Sequence, residues 1–285
     1  MHYSDLVKLR FGKAADTYDS SASTHVEIAR HLVSMIQRAA GLVYSSGLRS
    51  DAAECNCNAE AFSIRENACA ASIVTLVDVG AGTGILSEEL LKVFPSAKLT
   101  LVDISSEMLA RAEEKYHERM SYINANAEDL SIRGFDMLVS SMAMQWFRDI
   151  ESFLIENMKY TRTIAFALPI LGTFDEWYDL LEAHGIESHR MPYKSFDKMM
   201  SLCNLADHFI AEEKTYPLTF KSALDFVKYL KLIGASASRT GVYSYKESAS
   251  ILQALHAFTA VGAESGSNVT WATSYRVFFG VLYQG

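Results

Sequence analysis

The chain has 285 residues, 49% hydrophobic and 21% charged, which is enough for one large α/β domain or two small ones. Acidic residues outnumber basic ones 34 to 26, a formal charge of −8, and this argues against nucleic acid as the main partner. No apolar run reaches the roughly 18–20 residues needed to span a bilayer. The opening MHYSDLVKLRFGKAADTYD carries no uninterrupted apolar core, so a cytoplasmic protein without a membrane partner is expected.

Four cysteines (Cys55, Cys57, Cys69 and Cys203) are too few and too unevenly placed for a disulfide framework. Cys55-Asn56-Cys57 with Cys69 lacks the spacing of a zinc site and has no nearby histidine, so free thiols and no metal are expected.

Along the chain, Val26, Ala29, Val33 and Ile36 predict an amphipathic helix over 23–40, and residues 1–40 are taken as an N-terminal helical lid. Residues 41–71 are rich in Gly, Ser, Ala, Asn and Cys without sustained periodicity, and read as a flexible insertion. From 73 onward apolar runs alternate with helical stretches. Strands are predicted over 73–79, 98–104, 119–124, 135–140 and 163–168, with helices over 85–94, 105–116 and 149–160 between them. Such alternation predicts an α/β, doubly wound parallel sheet with a ligand core over 72–170.

The pattern loosens after 170. Phe174, Trp177, Tyr178 and Leu181 mark one apolar helix face, and 221–234 reads as a helix closed by Gly234. The aromatic stretch 268–283 suits a closing strand, so 171–285 is taken as substrate-lid helices and closing strands.

Residues 76–86 read LVDVGAGTGIL, a strand running into Asp78, Gly80, Gly82 and Gly84 and then a helix. Glycines there let a ligand approach the backbone without meeting a Cβ atom. The dinucleotide fingerprint GxGxxG would need glycine at position 85, which is Ile85. The arrangement resembles instead the first motif of class I S-adenosylmethionine-dependent methyltransferases. That resemblance implies a Rossmann-like methyltransferase sheet with S-adenosyl-L-methionine as cofactor. Asp103, with Ile104 beside it, ends the second strand, where a carboxylate can accept from ribose hydroxyls. Asn126 and Ala127 follow the third strand, and the resemblance puts them at adenine; the superfamily typically has an acidic residue at the position of Asn126. Plainer roles stand beside these: Asp78 bracing the turn, Asp103 capping the next helix, Asn126 making a loop turn.

Five further stretches, FGKAADTYDSSA (11–22), SMAMQW (141–146), GTFDEW (172–177), YLKLIGA (229–235) and SYRVFFGVLY (274–283), are similar to the malonyl-[acyl-carrier-protein] O-methyltransferases of biotin synthesis. The family typically has asparagine where this chain has Ser141. The resemblance implies methyl transfer to the free carboxylate of a malonyl thioester on acyl carrier protein or coenzyme A. It implies that Ser141 and Met142 flank the cofactor, and it points to three catalytic residues. These are Tyr18, closing over the cofactor and bonding the carboxylate, Gln145, directing an amide toward cofactor or substrate, and Lys231, contacting the malonyl carboxylate or the phosphopantetheine arm. The plainer roles are an aromatic staple for the first helix (Tyr18) and a surface lysine (Lys231). A carboxylate is already ionised near neutral pH, so this chemistry needs no general base and no metal. Between Thr219 and Ser250 Lys221, Lys228, Lys231, Arg239 and Lys246 outnumber Asp225 and Glu247, a basic segment suited to an acidic carrier protein. Two other readings remain at this point: a methyltransferase for a small free acid such as aconitate, and a non-catalytic S-adenosylmethionine-binding regulator.

Overall fold

The computed structural model describes residues 3–45, 75–235, 251 and 271–284. Three helices come first: α1 (Tyr3–Ala14), the single turn α2 (Tyr18–Ser21) and α3 (Ser23–Ser45). Five strands follow, β1 (Thr75–Val79), β2 (Lys98–Asp103), β3 (Met120–Asn124), β4 (Met137–Ser141) and β5 (Thr163–Pro169). Between them run α4 (Ile85–Val93), α5 (Ser106–Tyr116) and α6 (Ile150–Met158). The remaining elements are α7 (Asp175–Ala183), α8 (Phe196–Cys203), β6 (His208–Phe220), α9 (Ala223–Leu232) and β7 (Trp271–Tyr283).

The strands form one seven-stranded sheet in the order β3-β2-β1-β4-β5-β7-β6. The first five strands are parallel, and β7 lies antiparallel between β5 and β6. The order reverses between β2-β1 and β4, which is the switch point where open α/β sheets bind ligands beyond the carboxyl ends of their strands. This is a Rossmann-like sheet extended by two strands, β7 and β6, that pair antiparallel, with helices on both faces.

Alternation along the strands sorts the core into two layers. Leu76, Leu101, Val139, Ala165 and Phe279 pack with Ile28, Leu32 and Ile36 of α3 and Leu90 of α4. Val77, Val102, Leu138, Phe166 and Phe278 pack with Leu154 of α6 and Met199 and Leu202 of α8. A parallel strand covered on both faces reads as a continuous apolar run, which is why 73–79 and 163–168 were legible.

Several expectations need adjustment. The predicted helix over 23–40 continues to Ser45, so the first five residues of the supposed insertion are helical. Residues 46–71, with Cys55, Cys57 and Cys69, lie outside the described residues. Strand β6 was not anticipated. It is the sheet edge, and its Glu212, Glu213, Lys214 and Pro217 are the residue types that keep an edge from pairing further. Gly234 follows the last turn of α9 with φ +71°, the left-handed conformation expected of a helix-ending glycine. Among the described residues no helix is long and apolar enough to cross a membrane, and no group of three or more His, Cys, Asp or Glu is placed to hold a metal.

Candidate active site

The turn after β1 is shaped by its glycines and by β2. Gly80 N donates to Val102 O at 2.8 Å and Ala81 N to the same oxygen at 3.1 Å, pinning the loop to the end of β2. Gly80 has φ +69°, and a Cβ there would lie 2.2 Å from Ala143 Cβ. No side chain fits that gap. Gly82, at φ +55°, would meet nothing within 4 Å among the described residues, so its open side faces the cleft.

Gly84 behaves differently. It precedes α4 at φ +84°, and a Cβ would press 2.7 Å from the Tyr116 ring. It permits helix packing and does not line the cleft.

Two carboxylates flank the loop. Asp78 is fully buried in effect (1% exposed); Ser87 Oγ donates to its Oδ2 at 2.8 Å, while Oδ1 has no partner among the described residues. Burial pushes its carboxyl up to about 7, with the charge of Asp103 adding to the rise and the Ser87 hydrogen bonds opposing it. Asp103 accepts from Gly82 N through Oδ2 and from Ser105 N through Oδ1, each at 2.8 Å. Burial raises its carboxyl too, against the backbone hydrogen bonds. The cap of α5 is Ser105, whose hydroxyl accepts from Met108 N, so Asp103 braces that turn without capping the helix.

The adjoining walls come from the ends of β3 and β4. Asn126 Oδ1 accepts from Glu128 N at 3.3 Å and its Nδ2 donates to Asp129 at 3.0 Å, so the loop-turn role is real and the side chain also lines the cleft. Beyond β4, Met142 takes φ +55°, a conformation that costs of order 1–3 kcal/mol for such a residue and clusters at functional sites. Its amide donates to Ala167 O at 2.8 Å, which holds the turn. Ser141, Met142, Ala143 and Trp146 consequently face the cleft.

The roof is N-terminal. Val7 and Phe11 of α1, Tyr18 of α2 and His25 of α3 line the same cleft. Phe11 meets Trp146 edge-on with centroids 5.7 Å apart, and Tyr18 lies 6.4 Å from Phe11. Ion pairs fasten this roof to α5: Asp16 with Arg111 (3.0 Å to Nε) and Asp19 with Lys115, Asp19 also accepting from Thr83 of the glycine loop. The whole cleft encloses about 1020 Å³ counted to its open mouth.

Of the residues singled out from sequence, Tyr18, Asp78, Gly80, Gly82, Asp103, Ile104, Asn126, Ala127, Ser141 and Met142 line this one cleft. Gln145 and Lys231 do not. Gln145 Nε2 donates to Met142 O at 2.8 Å, closing the turn, and the side chain faces a smaller depression beside Leu168 and Lys194. Lys231 is exposed on the last turn of α9. Phe11 and His25 were missed as site residues; both fall within or just after the FGKAADTY segment, and only the fold of α1 to α3 over the sheet brings them in.

Residues 76–163 match the family described as a methyltransferase domain, and the sheet order, glycine loop and flanking carboxylates agree with such a domain built to hold S-adenosylmethionine. Over a wider span the chain is similar to the malonyl-[acyl-carrier protein] O-methyltransferase of Neorickettsia risticii, 27% identical over 243 residues, 85% of this chain and 86% of that one. The enzyme of that name from Priestia megaterium is 26% identical over 263 residues, covering 85% of each chain. Among solved structures, the YcgJ protein of Bacillus subtilis aligns with a TM-score of 0.49 at 14% identity, covering 75% of this chain and 92% of that one.

The residues present fit the cofactor. Asp78 Oδ1, a buried acceptor without a partner among the described residues, suits a cationic amino group. The Asp103 carboxylate accepts from the backbone N–H groups of Gly82 and Ser105, with Ile104 as a further backbone donor, and its remaining acceptor capacity suits a ribose hydroxyl. The rings of Phe11, Tyr18 and Trp146 offer electron-rich surface to a sulfonium.

Proposed function

We propose that the protein methylates the free carboxylate of a malonyl thioester, carried by acyl carrier protein or coenzyme A, and so makes the methyl ester that begins pimeloyl and biotin synthesis. The observation that carries this reading is the reach of the similarity. It extends over 85% of the chain, well beyond residues 76–163, to relatives that share this one activity by name.

S-adenosylmethionine supplies an electrophilic methyl group on a sulfonium. Asp78, Asp103, Asn126 and the amide of Ala127 would hold it along the strand ends, with Gly80 and Gly82 giving backbone access. The acceptor carboxylate titrates near pKa ~4 and needs no base, so the residues' work is orientation and exclusion of water. Orientation of well-placed groups contributes about 7–11 kcal/mol. Val7, Phe11 and Tyr18 form the roof over the cleft, and the N-terminal helices act as its lid. A dry site favours an anion meeting a cation, because charge disperses as the methyl moves. Trp146 Nε1, buried and without a partner among the described residues, is a donor available to the acceptor in place of the Gln145 amide.

The basic segment faces the carrier in this reading. Lys221, Lys228 and Lys231 are exposed, and Lys228 pairs with Asp225 at 2.9 Å in a solvent-facing contact. Arg239, Lys246 and Glu247 lie outside the described residues. Acyl carrier proteins are acidic, and such a face raises encounter rates more than it deepens affinity.

The test is transfer of labelled methyl to malonyl-acyl carrier protein beside malonyl-CoA, acetyl-carrier protein and aconitate. Label in a base-labile ester on the malonyl thioesters alone supports the reading. Ester on aconitate alone would replace it with a small-acid methyltransferase, and no transfer with intact cofactor binding would leave a binding protein.

A further inference from the structure

We propose that His25 is a carboxylate anchor inside the cleft, its Nε2–H aimed at a ligand carboxylate and its proton placed there by Tyr18. The idea rests on the function proposed above for one of two carboxylates it could take: that of the malonyl acceptor, or that of the cofactor's amino-acid tail.

His25 opens the first turn of α3 and is 7% exposed, yet it lines the cleft. Its ring packs against two tyrosines, 5.7 Å from Tyr18 and 5.8 Å from Tyr275 between centroids. Nδ1 lies 2.9 Å from Tyr18 Oη. A phenol is a stronger hydrogen-bond donor than a neutral imidazole N–H, so the tyrosine donates and Nδ1 accepts. The other ring nitrogen then carries the proton. Nε2 is buried and has no partner among the described residues. Burial holds the imidazole down at about 4, so near neutral pH the ring stays neutral and presents a single donor.

A buried donor of this kind wants a strong acceptor, and a carboxylate is the strongest that either small ligand brings. Neutrality matters for the acceptor in particular. An arginine or lysine partner would draw charge from the attacking oxygen, whereas a neutral N–H fixes its direction and leaves most of its charge. Among the described residues, the arginine at the cleft, Arg148, is exposed and engaged with Glu128 and Asp129.

Three variants test this: His25→Phe, which keeps a ring and removes both nitrogens; His25→Gln, which restores an amide donor; and Tyr18→Phe. Calorimetry would measure their binding to S-adenosylhomocysteine, to 5′-methylthioadenosine, which lacks the carboxylate, and to malonyl-CoA with S-adenosylhomocysteine present. Loss of one hydrogen bond to a charged group should weaken a carboxylate ligand by about 10- to 100-fold in His25→Phe, with partial recovery in His25→Gln. A loss on S-adenosylhomocysteine with methylthioadenosine unchanged assigns the anchor to the cofactor's carboxylate. A loss on malonyl-CoA alone assigns it to the acceptor. Unchanged binding of both carboxylate ligands overturns the proposal, as does an equal loss for methylthioadenosine, which would mean simple packing. Should the unaltered protein bind no malonyl thioester, the malonyl reading falls, and the comparison of S-adenosylhomocysteine with methylthioadenosine alone decides the anchor.

Discussion

Replacing Gly80 by alanine probes the contact that joins the two halves of the site. The backbone at Gly80 has φ +69°, which costs an L-residue about 1–2 kcal/mol. The new Cβ would also stand 2.2 Å from Ala143 Cβ, on the loop after β4, and forcing extra carbon into a filled gap costs about 1–3 kcal/mol. Together these predict a loss of roughly 2–5 kcal/mol, or a fall in Tm of about 5–15 °C for a chain of this size. The two contributions separate in a double-mutant cycle. Ala143→Gly removes the clashing carbon, so Gly80→Ala should be about 1–3 kcal/mol less harmful in that background. Gly82→Ala, with open space around it, should cost only the backbone part. Thermal and urea unfolding of the five proteins (the unaltered chain, Gly80→Ala, Ala143→Gly, their double variant and Gly82→Ala) provide the numbers. A coupling near zero between positions 80 and 143 would refute the claim that the loops interlock there.

Asp78 predicts a pH dependence. Its carboxyl titrates near 7 in the free protein and would titrate lower beside a cationic amino group, so binding releases a proton and S-adenosylhomocysteine affinity should fall about tenfold per pH unit below 7. The same raised carboxyl means the ligand-free protein loses stability as pH rises from about 4 to 7, the window in which the folded state holds the proton and the unfolded chain does not; an Asp78→Asn variant should flatten both profiles, and a pH-independent affinity in the unaltered protein would count against the assignment. Asp19→Ala removes the lid contacts to half-exposed Lys115 and to the buried hydroxyl of Thr83. Loss of the latter's acceptor should cost about 1–3 kcal/mol and lower Tm by a few degrees, while release of S-adenosylhomocysteine in stopped-flow chase speeds up, and equal release rates would sink the lid. Lys221→Glu with Lys228→Glu should raise KM for the carrier-protein substrate most at low salt and leave cofactor affinity alone; an unchanged KM would remove this face from the docking surface.

The parts of the fold that local pattern governs were legible. Parallel strands buried on both faces and the glycine turn announce themselves because their chemistry is dictated within a few residues. Strand β6 was not legible, since an edge strand with Glu212, Glu213, Lys214 and Pro217 satisfies solvent on one side and lacks the apolar signature. The site divides the same way. Asp78, Asp103 and Met142 follow from position at a strand end. Gln145 and Trp146 are adjacent in one short turn, and which of them turns inward depends on the left-handed backbone at Met142 and on the hydrogen bond from Gln145 to its carbonyl oxygen. No periodicity carries that information. His25 enters the cleft because α3 crosses the sheet beside α4, a tertiary arrangement that nothing near residue 25 specifies.

Strand β7 occupies the slot between β5 and β6, although it is the last of the seven to be made. On the ribosome, then, β5 remains an unpaired border and β6 has no sheet to join until residues 271–283 have left the exit tunnel. The ligand-facing loops at 78–84, 103–104 and 141–146 are synthesised well before that moment, on a sheet still open on one side. Nascent chains stalled before Trp271 would expose the apolar flank of Phe166 and be targets for chaperones, and the passage to a protease-resistant enzyme would coincide with insertion of one strand.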